Sequence, residues 1–83
     1  MNRTEIGNQI VDIIRVNMPG FEDLQYDETA RINTEAGFDS MTFVYIMCKI
    51  ESTFGIEIPK RRWEKMSTLK DIIDEVEKAL AKK

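Results

Sequence analysis

The sequence predicts an all-α fold, a small four-helix bundle with a long first loop and a short third helix. Three observations predict it. Three stretches repeat apolar residues at helical spacing, each with polar capping residues or helix stops at its ends. The eighteen residues from Phe21 to Phe38 lose that periodicity. A brief basic segment after Pro59 then separates the second long helix from the last.

The first helix opens at Asn2. Asn2-Arg3-Thr4-Glu5 has the spacing of a capping box, with Asn2 as N-cap and Glu5 three residues on. Ile6, Ile10, Ile13 and Ile14 recur on one face, Val11 and Val16 widen that stripe, and Asp12, Arg15 and Asn17 fall on the other side. Pro19-Gly20 stops the helix, because proline disfavours a helical Met18 and has no amide to donate.

Between Phe21 and Phe38 acidic residues alternate with isolated apolar anchors. A connection of this length is functional or carries a short turn of helix of its own. Phe21, Leu24 and Ile32 are expected to pin it to the core, with Tyr26 joining them, its hydroxyl left in solvent. Asp23, Gln25 and Asp27 loosely imitate the start of a calcium loop. Glu28 takes the place of the required glycine and Thr34 that of the bidentate glutamate, which rules the loop out.

The second helix is expected from Ser40 to Phe54. Phe43, Ile46, Met47, Ile50 and Phe54 form its core stripe. Met41, Val44, Tyr45 and Cys48 form a second apolar stripe on the adjacent face, which widens the core contact or meets a partner. Gly55 closes the helix, Ile56 and Ile58 reach back to the core, and Pro59 starts a short helix over Lys60–Lys65 with Trp63 turned inward. Its four bases, Lys60, Arg61, Arg62 and Lys65, read as a solvated face. Thr68 and Asp71 cap the last helix, whose core stripe is Leu69, Ile72, Ile73, Val76 and Leu80. Asp74 and Lys78 stand at ion-pair spacing on it.

Eighty-three residues, 42% apolar and 33% charged, form one small domain over 1–83. No apolar run is long enough to span a bilayer and no signal-peptide pattern opens the chain, so a cytoplasmic monomer is expected. The absence of histidine removes the usual nucleophile–base pairs and the commonest metal ligand, and no metal site is expected. One cysteine precludes an internal disulfide, and a buried, inert thiol is the expected state of Cys48 unless the second stripe leaves it at the surface. Residues 1–39 carry a net −5, residues 40–66 a net +2, and the rest are balanced, a poor pattern for binding nucleic acid.

The chemistry concentrates at Gly37-Phe38-Asp39-Ser40-Met41, where the polar loop meets the apolar helix. Taken alone it is a glycine turn followed by a serine N-cap. Followed by the apolar second helix, Phe54-Gly55-Ile56-Glu57-Ile58-Pro59 and a second capped helix, it resembles the acyl carrier protein family and its Asp-Ser-Leu motif, with Met41 in place of leucine. The resemblance covers nearly the whole chain and implies a bundle of acyl-carrier type and a carrier rather than an enzyme. It implies that Ser40 bears covalent 4′-phosphopantetheine, with Gly37 and Asp39 as motif context. The arm's thiol would hold acyl groups as thioesters for fatty-acid, polyketide or related biosynthesis. The implied partners are a phosphopantetheinyl transferase and acyl-loading and acyl-processing enzymes.

The sequence also departs from the family. Ala36 stands where leucine is usual. Thr42, Tyr45 and Ser52 stand where carriers of fatty-acid synthesis often have acids, leaving Glu51 as the one acid within the second helix. Met41, Val44, Tyr45, Cys48 and Glu51 are therefore read as the partner face, with apolar contact weighing more than charge. Phe43, Trp63 and Ile72 stand where long-chain carriers have smaller residues around their acyl cavity, which points to a short or polar cargo. A specialised aminoacyl carrier of the D-alanyl kind is one alternative, and an unmodified helical adaptor is the more remote one.

Overall fold

In the computed structural model, residues 2–32 and 41–82 are described, and they form four helices in the order α1 Arg3–Asn17, α2 Met41–Phe54, α3 Lys60–Trp63 and α4 Leu69–Ala81. No strand is present among them; one isolated antiparallel bridge joins Arg31 to Thr68. The helix α1 packs against both α2 and α4.

Each helix forms where local chemistry starts and stops it. Asn2 accepts the amide of Glu5 at 2.8 Å, and the Glu5 carboxylate accepts the amide of Asn2 at 3.3 Å. Thr68 and Asp71 repeat that exchange at α4. At the far end of α2, Gly55 takes φ 65° and the amide of Ile56 donates to the Glu51 carbonyl at 3.0 Å. Those two features together are a Schellman closure. The α3 helix is two residues shorter than the sequence predicts. Beyond Trp63 the chain tightens to three-residue bonds, Lys65 to the Arg62 carbonyl and Met66 to that of Trp63.

One apolar core runs through the bundle. Ile6, Ile10, Val11 and Ile14 meet the full predicted stripe of α2, Phe43 to Phe54, and Leu69, Ile72, Ile73 and Val76 of α4. Ile32, Ile56, Ile58, Trp63 and Met66 close its edges, while Phe21, Leu24, Ile13 and Leu80 are half-buried against it. Val16 corrects the expected stripe: at 81% exposed it faces solvent. At about 100° per residue it falls roughly opposite the centre of the buried face, which follows Ile10, Ile14 and Met18.

The first loop is stitched down by bonds that cross the molecule. The amides of Ile32, Leu69 and Lys70 donate to the carbonyls of Ser67, Ala30 and Glu28 at 2.8, 2.9 and 2.9 Å, tying the loop to the start of α4. Arg3 holds the same region from α1. Its guanidinium makes a two-pronged pair with Glu28 at 2.7 and 2.9 Å, bonds Asp74 at 2.8 Å and also meets Glu77. Tyr26 donates to Glu28 at 3.0 Å, and its ring lies over Gly7, where any Cβ would overlap it. Asp74 therefore pairs with Arg3 and with Lys70 at 2.8 Å, not with Lys78 as helical spacing alone suggested. Lys78 turns instead toward Glu75 at 4.0 Å.

These contacts set the charge states. Hydrogen bonds from Arg3 hold the Glu28 carboxyl below its usual range, and a bond from Lys70 does the same for Asp74. Arg3 is raised in turn, chiefly by Glu28. Partial burial pushes Asp71 up, but the amides and hydroxyls of Ser67 and Thr68 outweigh it and leave its carboxyl lowered.

Two outcomes follow from this packing. Carboxyls lowered in the folded state add stability that is complete above their unfolded values and is lost as pH falls through the lowered ones. Arg3→Ala should therefore lower the melting temperature near neutral pH and make its fall between about pH 5 and 3 shallower, because less remains to lose. Melts at stepped pH test this, and an acid limb as steep as in the unaltered chain would contradict it. Ile50→Ala, in the fully buried α2 stripe, should cost about 2–5 kcal/mol in denaturant unfolding.

Candidate functional site

The start of α2 is the point to which the sequence directs attention. Gly37, Asp39 and Ser40 lie outside the described residues. Ser40 is joined directly to Met41, the first residue of α2, and Met41 is 81% exposed. The first turn of the helix contains no acid. A helix N-terminus favours an anion through its amides and dipole, and no first-turn carboxylate opposes one here. A phosphodiester on the preceding residue suits that chemistry.

Along α2 the two apolar stripes part company. Phe43, Ile46, Met47 and Ile50 are fully buried, whereas Tyr45 is 50% exposed and Cys48 lies at the surface. Val44 is half-buried against the core, so it forms the floor between Met41 and Cys48. Cys48 is thus not the buried thiol expected of a lone cysteine. Its place one turn beyond Val44 on the second stripe puts it on the open face. Lys49 lies over the ring of Tyr45, its ammonium 6.0 Å from the centroid. Cation–π attraction at that distance is at the edge of its useful range.

Glu51, grouped with this face in the sequence, has a structural task. Its carboxylate accepts the amide of Ile58 at 2.7 Å, closing the turn that follows α2. It is half-buried and contributes little free charge to the surface. The signal lay in the spacing: seven residues on, past the Gly55 turn, a chain doubling back returns an amide to the helix end.

Behind this face the space is filled. Phe43, Trp63 and Ile72 are 1%, 4% and 0% exposed. Trp63 is fixed at both ends: its indole Nε1 donates to the Ile58 carbonyl at 3.0 Å, and Lys60 lies over the ring at 5.9 Å.

Known proteins share this sequence pattern. The family described as "Phosphopantetheine attachment site" matches residues 9–76. A protein named Acyl carrier protein from Thermotoga maritima is 33% identical over 79 residues, covering 95% of this chain and 96% of its own. Another of the same name from Chloroherpeton thalassium is 32% identical over 74 residues, covering 89% and 91%.

The open face makes a direct expectation about Cys48. In the folded protein without denaturant it should react with one equivalent of a disulfide reagent such as dithionitrobenzoate, because exposed thiols are accessible to attack. Cys48→Ser should abolish the colour. Reaction only after unfolding would show that the thiol is covered.

Proposed function

This chain belongs to the acyl carrier protein family, and we propose that Ser40 is the residue through which it carries 4′-phosphopantetheine. The family's group is attached covalently, and its members are carriers, not enzymes. The observation that carries the assignment to Ser40 is positional. Gly37-Phe38-Asp39-Ser40 falls within the matched residues and leads directly into the exposed, acid-free first turn of α2.

In the loading step the Ser40 hydroxyl attacks the phosphorus of coenzyme A that bears the pantetheine. A new phosphodiester bond forms, the pyrophosphate linkage breaks and adenosine bisphosphate leaves, while a base of the transferase takes the hydroxyl proton. The attached arm supplies a thiol that holds acyl groups as thioesters. What remains for this chain is to present and tether. Holding the arm on a small rigid bundle raises the effective concentration of its cargo at each visiting enzyme. With Met41 and Tyr45 open beside it, the arm's base is accessible to acyl-loading and acyl-processing enzymes.

Within that reading the cargo is short or polar, in fatty-acid, polyketide or related biosynthesis, or an amino acid on a D-alanyl type of carrier. The buried Phe43–Trp63–Ile72 group favours this. Admitting a long chain between them would cost about 1–3 kcal/mol of repacking. Freeing Trp63 would also leave the Ile58 carbonyl without its donor, about 1–3 kcal/mol more if it stayed buried. The chain reads as one carrier domain over 1–83, working as a cytoplasmic monomer.

Incubation with coenzyme A and a broad-specificity transferase should add one phosphopantetheine mass, and Ser40→Ala should add none while keeping its helical circular dichroism. An unmodified wild-type chain would sink the carrier assignment. For the cargo, acetyl and decanoyl forms should melt alike and leave Trp63 fluorescence unchanged. Clear stabilisation by decanoyl, with a shifted Trp63 emission, would mean that the chain enters the bundle.

A further inference from the structure

The free charge around the open face of α2 is basic. Among residues 41–66 the fully exposed charged side chains are Lys49, Lys60, Arg61 and Lys65 against Glu57 and Glu64. The two other charged groups of this segment are occupied internally: Glu51 by the Ile58 amide at 2.7 Å, and Arg62 by Glu75 at 3.1 Å. The start of α3 abuts the second half of α2, since Glu51, Ile58, Lys60 and Trp63 border one shallow pocket. Among residues 2–32 the exposed charges have the opposite balance, Glu5, Asp12, Glu22, Asp23 and Asp27 against Arg15 and Arg31. The molecule therefore has an acidic side, and the side with the open apolar stripe is basic.

An enzyme that modifies Ser40 has no choice of approach. Its reacting atoms must come within bonding distance of the Ser40 hydroxyl, one residue from Met41, so its surface must cover the first turns of α2. Resting on the assignment of the arm to Ser40, we propose that this face seats a phosphopantetheinyl transferase whose docking surface is acidic around an apolar hollow. Met41 and Tyr45 fill the hollow; Lys49 and Lys60 meet carboxylates on its rim. Apolar contact supplies most of the affinity, and the rim charges steer encounter and reject surfaces of the wrong sign.

Two transferases chosen for acidic and for basic carrier-docking surfaces test this, with coenzyme A as donor and the mass gain on the full chain as the rate. The acidic-surfaced enzyme should modify wild type with the higher kcat/KM. Lys49→Glu with Lys60→Glu should lower that value about tenfold, the scale of lost electrostatic steering, and raise it for the basic-surfaced enzyme. The milder Lys49→Ala with Lys60→Ala should fall between, and Tyr45→Ser should slow both enzymes. Circular dichroism and melting confirm that the variants fold. Equal rates for wild type and the charge-reversed form, or better service of wild type by the basic-surfaced enzyme, would overturn the acidic-partner proposal. No mass gain on wild type with either enzyme would instead strike at Ser40 itself and remove the premise.

Discussion

Complete burial of one face of α2 is the constraint on which the rest of this small domain depends. Phe43, Ile46, Met47 and Ile50 are almost entirely enclosed, which takes the apolar faces of α1 and α4 and the returning Ile56–Trp63 segment together. Full enclosure of large side chains stabilises by roughly 1.5–3 kcal/mol each, so a helix used this way cannot roll about its axis without heavy loss. That immobility turns the second stripe outward. Met41, Tyr45 and Cys48 stay at the surface because the neighbouring positions cannot leave the core.

The same constraint explains why the long loop is held so tightly. A bundle whose α3 spans four residues lacks a full fourth wall, and Ile32, Phe21, Leu24 and Ala30 cover part of the gap. Side chains of that size do not hold an irregular segment alone. The backbone bonds to Ser67, Leu69 and Lys70 and the Arg3–Glu28–Asp74 cluster fix its position. Ion pairs at half-exposed sites are individually weak; sharing one guanidinium among three carboxylates lets a single ordering cost serve several contacts.

Local chemistry was legible in the sequence and long-range pairing was not. The caps at Asn2 and Thr68, the Gly55 closure and the α2 core stripe follow from residues within a few positions of one another, and all appear as read. Arg3 meets Glu28 and Asp74 across 25 and 71 positions, and no periodicity encodes such a register. The Asp74–Lys78 expectation failed for that reason: a helix-local rule had no knowledge of Arg3. Val16 misled because its residue type matched the stripe although its angle did not. At the site, the motif spacing that singled out Ser40 is a feature of sequence, and the family match covers it. The task of Glu51 became visible only once the turn after Gly55 brought the Ile58 amide back to it.

Gly7 beneath Tyr26 carries a consequence for how this sequence tolerates change. Glycine inside a helix costs about 1 kcal/mol relative to alanine, so position 7 would head any list of stabilising replacements. Here a methyl group overlaps the tyrosine ring, which must swing away and release Glu28, so the helix gain is offset by loosening of the loop. The two positions are epistatic. Alanine at 7 becomes acceptable only after residue 26 has already lost its ring, and drift or directed evolution must change 26 before 7. A screen of single substitutions would score both positions as intolerant and miss the pair that works.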